Sequence, residues 1–181
     1  PYAISRSACD MHLHSLYKNY KFPVVFTRAA NVYGAGQQLY RIIPKAMLAL
    51  KLNRKLMLDG GGKSKRSFIY ITDVVRATYS LCLKSTNGEI YHISTPQLIS
   101  IKKLVETIFK LKKLSLNKHV KISPDRKGKD GVYSLSSNKI KKEIAWKPEI
   151  SLKDGLLKTL NWIEQNINII KKQPDKYKHK K

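Results

Sequence analysis

The sequence has 181 residues, 42% of them hydrophobic, which fits one folded domain or a large part of one and argues against bulk disorder. Its 36 lysines and arginines outnumber 12 aspartates and glutamates, for a formal net charge of +24. No apolar run approaches the ~18 residues that cross a bilayer, which argues against a membrane-spanning helix.

Helix and strand patterns alternate along the chain, and this alternation favours an α/β fold over a helical bundle. The first predicted helix covers residues 2–20, with apolar side chains such as Ile4 and Met11 at helical spacing. A proline interrupts that pattern, and residues 24–27 then form a short buried strand. The Gly-rich and polar stretch 31–38 is predicted to be a loop.

The later elements are predicted in the same way, from the spacing of apolar residues typical of helices and of strands. Thr72 is a predicted N-cap, with Asp73 in the first turn where it favours the helix dipole. Ser151 and Asp154 form a variant of the capping box. Gly60 to Gly62 make a turn. Further helices are expected over 42–52, 101–112, 136–144 and 152–166, and strands over 55–58, 66–71, 89–94 and 120–123.

The cysteines and histidines give no sign of a metal site. Cys9 and Cys82 lie far apart without metal-ligand spacing, and we expect two reduced, packed thiols of a cytoplasmic protein. His12 and His14 are two residues apart on a predicted helix, so they do not share a face. The first residues also lack the basic and then apolar pattern of a secretory signal.

The excess of positive charge allows two interpretations. A field of this size attracts polyanions, so a basic module that binds RNA or another polyanion is one of them. The lysines are, however, scattered over nearly every segment, without a nucleic-acid motif or regularly interspersed aromatic residues. This distribution favours the second interpretation, a lysine-rich composition at solvent-facing positions. Residues 169–181 have few apolar side chains and are expected to form a basic, disordered tail.

The spacing of Tyr2 and Arg6 places a phenol and a cation on one face of the first helix. A neighbouring cation favours the phenolate form, which suits proton transfer. Taken alone the pair is also compatible with chance, because such spacings recur in many helices. The chain opens at Pro1 rather than at a methionine, within a helix-opening turn, so we expect it to be part of a longer protein.

Five segments, in order, carry a family resemblance. They are PYAISRSACD at 1–10, TRAANVYGAGQ at 27–37, GGGKSKRSFIYITDV at 60–74, GEIYHIST at 88–95 and DRKGKDGVYSLSSNKIKKEIAWKP at 125–148. Together they resemble the extended short-chain dehydrogenase/reductase family, specifically its NAD-dependent sugar-nucleotide epimerases and dehydratases. The dTDP-glucose 4,6-dehydratase branch is the nearest.

The resemblance implies roles for individual residues toward NAD. Tyr2 matches the family's general acid/base and Arg6 stands where the family has a lysine that binds the nicotinamide ribose. Arg6 keeps the positive charge of that lysine, but its guanidinium is planar and extends differently from an ammonium group. Ala29 falls where the backbone runs beside the nicotinamide.

The resemblance also implies a site for the diphosphate of a sugar nucleotide. Its matching residues are Asn31, Arg66 and Arg126, and Arg41 is expected to assist them. Arginine offers a bidentate, permanently charged grip on phosphate oxygens. In a chain with 36 basic residues, each of these arginines could instead be a solvent-facing charge.

The domain organisation implied is the C-terminal portion of a Rossmann-type enzyme. Residues 1–35 would be a remnant of the NAD-binding domain, and 36–168 mainly the substrate-binding domain, with some elements returning to the Rossmann sheet. The sequence contains no G-x-G-x-x-G turn, which the family carries upstream. We expect a dehydratase that is inactive in this form alone and homodimeric when complete; a 4-epimerase and a degenerate polyanion-binding module are the alternatives.

Overall fold

A computed structural model of the chain describes residues 2–115, 119–125, 128 and 130–175, and it confirms the α/β fold. The helices are α1 Tyr2–Tyr20, α2 Ile42–Lys51, α3 Ile71–Lys84, α4 Ile101–Lys110, α5 Asn138–Ile144, α6 Leu152–Gln165 and α7 Ile167–Ile170. The strands are β1 Phe26–Ala29, β2 Asn31–Tyr33, β3 Leu56–Asp59, β4 Lys65–Tyr70, β5 Ile90–Ile93, β6 Leu98–Ser100, β7 Val120–Ser123 and β8 Val132–Tyr133. A 3₁₀ turn covers Gly60–Gly62.

The strands form three small sheets in which parallel pairing predominates. Strand β1 pairs in parallel with β5, and β3 pairs in parallel with β7. Strand β4 is central to the third sheet: it pairs in parallel with β2 and β8 and antiparallel with β6. Because β4 holds strands from distant parts of the chain, it fixes the position of the residues that flank it.

Two apolar clusters stabilise these layers. In the larger one, helices α4 and α6 both pack against α2, and side chains such as Met47, Ile108 and Ile163 are buried. The smaller one lies between α3, α5 and the β1–β5 pair, with Leu81, Ile93 and other residues buried. None of the described helices is both long and apolar enough to cross a membrane.

The buried carboxylate of Asp73 joins the start of α3 to the segment before α6. Its two oxygens accept hydrogen bonds from the backbone N–H groups of Glu149 and Ile150, at 3.1 and 3.0 Å. Arg76, one turn further along α3, donates to the same carboxylate at 2.8 Å. A residue that the sequence places near the helix dipole therefore also fixes a tertiary contact.

Several local predictions are confirmed and others are wrong. The first helix has the predicted bounds, and the Ser151 side chain accepts from the Asp154 N–H at 3.1 Å, as a cap should. The predicted N-cap at Thr72 is wrong: β4 passes directly into α3, which begins at Ile71. The start of the predicted loop 31–38 is wrong as well, because Asn31 to Tyr33 pair with β4 as strand β2.

The prediction of packed thiols is also wrong, because Cys9 on α1 and Cys82 on α3 are both exposed. The apolar stripe of α1 faces outward in the same way: Ile4 is 76% exposed and Met11 71%. The periodicity predicts a helix with an apolar face, but it does not identify what covers that face. No described element of this chain packs over these side chains.

Candidate functional site

A cleft of about 1320 Å³ lies where the ends of β1 and β2, the loop after β2, the start of α2 and the strands β3, β4 and β8 meet. Four of the residues singled out from the sequence line it: Ala29, Asn31, Arg41 and Arg66. Ala29 is the last residue of β1, so the cleft opens at the carboxyl end of a parallel strand. In open α/β sheets this is the edge at which ligands bind.

Asn31 is held in the wall of the cleft by its pairing with the central strand. As the first residue of β2 it lies opposite Phe68 of β4. Its side-chain amide donates to the backbone carbonyl of Ser67 at 3.0 Å. The Asn31 side chain therefore has a defined orientation before any ligand arrives.

Arg66 presents a positive charge that two backbone carbonyl groups hold in place. Its guanidinium donates to the carbonyl oxygens of Lys65 at 2.8 Å and Asp130 at 2.7 Å. Within the described part of the chain, no carboxylate forms an ion pair with it. The two hydrogen bonds fix the orientation of the planar guanidinium group, and its charge stays available to an anion.

Arg41 and Lys45 lie at the opening of the cleft, at the start of α2. Arg41 occupies the N-cap position with an extended backbone, and its guanidinium lies 5.4 Å from the centre of the Tyr40 ring. Lys45 was not recognised from the sequence, because one lysine among many carries no signal of its own. Both side chains are exposed, so they can reach a ligand that enters the cleft.

The cleft also contains three of the 12 carboxylates of this basic protein, on Asp59, Asp130 and Asp175. The Asp59 carboxylate accepts from the Ser123 hydroxyl at 2.9 Å, and Asp175 pairs with Arg54 at 3.1 Å. The walls therefore carry both cations and carboxylates. Such a lining suits a ligand with anionic groups and hydroxyl donors better than a uniform polyanion.

Two further polar side chains of the lining were missed from the sequence. Gln37 donates from Nε2 to the Val32 carbonyl at 2.7 Å, while its Oε1 is buried and has no hydrogen-bond partner among the described residues. The Ser64 hydroxyl is likewise buried, and no residue that the structure describes bonds to it. Gln37 belongs to the motif at 27–37, whereas Ser64 occupies a position where the motif at 60–74 fixes no residue type.

Tyr33 also lines the cleft, but it is not a candidate base. Burial raises the pKa of its phenol well above the ordinary value of 10, and Tyr70, Asp73 and Asp154 raise it further. The hydroxyl stays protonated and donates to the Leu152 carbonyl at 3.3 Å. Its role in the structure is to connect β2 with the start of α6.

The remaining predicted site residues do not come together in this cleft. Arg6 is exposed on α1 and is absent from the described lining. The Tyr2 side chain and Arg126 lie outside what the structure describes, so the predicted proximity of Arg66 and Arg126 stays a prediction. No group of three or more potential metal ligands occurs among the described residues.

Comparison with known proteins identifies relatives over most of the chain. Residues 1–159 match the family model described as GDP-mannose 4,6 dehydratase. The human dTDP-D-glucose 4,6-dehydratase is 36% identical over 173 residues, which cover 93% of this chain and 49% of that protein. The dTDP-glucose 4,6-dehydratase of Haemophilus influenzae is 30% identical, with 90% and 51% covered. The chain thus spans about half the length of these relatives.

Solved structures show the same relationship. The dTDP-glucose 4,6-dehydratase of Bacillus anthracis in complex with NAD superimposes with a TM-score of 0.87 at 31% identity, covering 93% of this chain and 53% of that one. The UDP-glucose 4-epimerase of Thermotoga maritima with UDP-glucose gives 0.82 at 26% identity, covering 92% and 54%. These likenesses confirm the expected Rossmann-type α/β fold.

Proposed function

The chain belongs to the GDP-mannose 4,6-dehydratase family, and we propose that the complete protein is an NAD-dependent sugar-nucleotide 4,6-dehydratase of the dTDP-glucose type. Residues 36–168 would form mainly its substrate-binding part, and 1–35 part of its NAD-binding domain. This proposal rests on the likeness to the dTDP-glucose dehydratases and on the cleft itself.

One observation carries the proposal: Asn31, Arg41 and Arg66 line a single cleft although they lie on three different elements. Arg66 has the properties of a diphosphate ligand, since backbone carbonyls orient it and no described carboxylate neutralises it. Arginine in this state binds phosphate oxygens with two parallel hydrogen bonds. The carboxylates of the cleft would accept hydrogen bonds from sugar hydroxyls.

The residues at the carboxyl end of β1 fit NAD. Ala29 lies there in the cleft wall, and its small side chain permits close approach of a planar ring. Bound NAD would supply the hydride acceptor for oxidation at a sugar carbon. Tyr2 would take the proton of the sugar hydroxyl, and Arg6 on the same helix would orient the ribose and favour the phenolate.

The binding half of the proposal is tested by calorimetry on the complete protein with dTDP, UDP, GDP and inorganic phosphate. We expect one nucleoside diphosphate to bind more tightly than phosphate. Arg66→Ala should weaken that binding roughly 10- to 100-fold, because a charge-assisted hydrogen bond is lost. Lys65→Ala is the matched control, since Lys65 is exposed beside Arg66 but does not line the cleft. Equal losses in both variants would contradict a specific diphosphate site.

The catalytic half is tested at Arg6 in the complete protein. Lysine is a compact donor that fits beneath the ribose while still polarising the phenol, whereas the larger guanidinium of Arg6 should perform these two functions less well. With dTDP-glucose and UDP-sugars as substrates, we expect Arg6→Lys to raise the single-turnover rate of NAD reduction by roughly one to two decades, which corresponds to one charge-assisted hydrogen bond. Equal rates would mean that Arg6 already performs the function of the lysine. No reduction in either protein, with the cofactor bound, would exclude Tyr2 as the base for these substrates.

A sugar-nucleotide 4-epimerase is the second candidate, supported by the likeness to the Thermotoga maritima enzyme. Product analysis separates the two: a dehydratase releases a 4-keto-6-deoxy sugar, and an epimerase releases an isomer of its substrate. The net charge of +24 supports a third candidate, a polyanion-binding module. Binding of that kind would weaken steeply as salt rises and show no preference among nucleotides.

We further propose that the complete protein is a cytoplasmic homodimer that associates through α1. The support is the outward apolar face of this helix, on which Ile4 and Met11 are exposed. Sedimentation of the complete protein tests it, because charged substitutions at both positions should shift a dimer toward monomer. Unchanged sedimentation would place the interface elsewhere.

A further inference from the structure

Ser64 is an unusual residue in the wall of the cleft. It lies between the Gly60–Gly62 turn and strand β4, and it is only 7% exposed. Its Oγ has no hydrogen-bond partner within the described chain. A buried hydroxyl without a partner destabilises the unliganded protein, so such a group in a cleft wall indicates a partner that arrives with a ligand.

Ser64 directly precedes β4 and lies on the cleft side, as Arg66 does. Side chains alternate between the two faces of a strand, and the cleft is lined by Ser64, Arg66 and Phe68 but not by the intervening Lys65 and Ser67. Two residues along a strand span about 7 Å. Both the hydroxyl of Ser64 and the guanidinium of Arg66 can therefore reach the oxygens of one diphosphate.

The N-terminus of α4 adds a second positive feature beside Ser64. The Ile101 N–H donates to the Ser64 carbonyl at 3.0 Å, and Ile101 itself lines the cleft. Ser100 caps this ten-residue helix by accepting from the Lys103 N–H at 3.1 Å. A helix N-terminus carries partial positive charge. Ser64 is thus bonded to this helix end through its carbonyl and precedes Arg66 by two residues, and both positive features favour an anion over a neutral ligand.

We infer that Ser64 is a further contact for the diphosphate of the nucleotide substrate and contributes to its affinity. On binding, rotation about χ1 turns Oγ toward the cleft, where the hydroxyl donates to a phosphate oxygen. This inference rests on the proposed sugar-nucleotide function and adds a residue at a position where the motif at 60–74 fixes none. Ser64 positions the ligand and takes no part in proton transfer.

The test compares Ser64→Ala with Ser67→Ala in the complete protein. Ser67 is the matched control because its hydroxyl, three residues further along, is also buried without a partner among the described residues, but it does not line the cleft. Calorimetry with the best-bound nucleoside diphosphate, and with the corresponding nucleoside, measures the effect. We expect Ser64→Ala to weaken diphosphate binding roughly tenfold and to leave nucleoside binding unchanged, with Ser67→Ala altering neither.

Thermal unfolding confirms that each variant is folded, and Ser64→Cys, which keeps the shape but donates poorly, is a second variant expected to match Ser64→Ala. The inference is overturned if Ser64→Ala binds the diphosphate like the parent protein while Arg66→Ala binds it weakly, and the proposed function then survives. If the parent protein binds none of dTDP, UDP and GDP, the proposed function fails and this inference fails with it. An equal loss for the nucleoside and the diphosphate would also overturn it, since the contact would then not be to phosphate.

Discussion

Helices α1 and α6 are both well formed, but they are held in the molecule in different ways. Helix α6 has 14 residues and buries five of them, including Leu156, Leu160 and Ile163. Helix α1 has 19 residues, and none of its residues from 3 to 20 is buried. A helical pattern in the sequence therefore predicts local structure. Which surface covers the apolar face of the helix depends on the tertiary structure. The two helices should therefore respond differently to the same substitution.

The contacts of α1 with the rest of the chain are few and mostly polar or aromatic. Asp10 pairs with Arg28 at 2.6 Å, and the His14 ring stacks on Phe26 with 4.8 Å between ring centres. The Tyr17 ring lies against Gly88. An exposed ion pair and a partly exposed stack stabilise a structure far less than a buried aliphatic layer.

The largest expected effect is a matched substitution of isoleucine in the two helices. Ile163→Ala in α6 should lower the free energy of unfolding of the 181-residue chain by about 2–5 kcal/mol, because it opens a cavity in the core. Ile4→Ala in α1 should change it by less than about 0.5 kcal/mol, because Ile4 is exposed. Denaturant unfolding measures both values. Similar losses would show that α1 is covered, for instance by association of two chains.

A smaller effect is expected at Gly155, where α6 meets β2. An added Cβ would lie 2.2 Å from the Tyr33 hydroxyl and 2.9 Å from a Tyr70 ring carbon, and both rings are buried. Overpacking of this kind costs about 1–3 kcal/mol, more than the gain of about 1 kcal/mol from alanine in a helix. Gly155→Ala should therefore lower the melting temperature. Gly131→Ala, where an added Cβ meets open space, should leave it unchanged.

The smallest effect concerns the ion pairs of α6. Glu164 binds Lys112 at 2.8 Å and Lys51 at 3.3 Å, and these bonds, that to Lys112 foremost, lower the pKa of its carboxyl below the ordinary 4.5. A lowered carboxyl pKa adds stability that is present above pH 4.5 and is lost as pH falls through the lowered value. Glu164→Gln should lower the free energy of unfolding by up to about 1 kcal/mol at pH 7, and by less in high salt. At pH values below the lowered pKa, where the carboxyl is protonated, the substitution should have no effect. A loss independent of pH would mean that packing, not charge, is the cause.

Local sequence was sufficient for the elements whose signals are local. The bounds of α1 and the Ser151 cap follow from periodicity and side-chain chemistry within one turn. Strand β2 could not be predicted in this way, because Asn31 to Tyr33 are extended only through their pairing with β4. Strands β6 and β8 depend on β4 as well. Each has three residues or fewer, too short for a periodic signal.

The residues of the candidate site also fall into two groups, those with a signal in the sequence and those without one. Asn31 and Arg66 were found because they stand in segments that resemble a family, and Arg41 was expected to assist them. The structure brings all three to one cleft. Ser64 and Lys45 were missed. The significance of Ser64 arises from the burial of an unpartnered hydroxyl, which depends on the packing around it and leaves no mark on the sequence.

The way Arg66 is held has a consequence for tolerance to sequence change. Its two acceptors are the carbonyl oxygens of Lys65 and Asp130, and a backbone bond from the Lys65 N–H to the Gly131 carbonyl, at 2.8 Å, lies beside them. Carbonyl groups are present whatever the side chain. Side-chain substitutions at 65 and 130 should therefore leave the guanidinium in place, whereas proline at position 65 would remove the N–H that aligns the two segments. A saturation library would then show Arg66 as a constrained position and the exposed position 65, proline apart, as a permissive one.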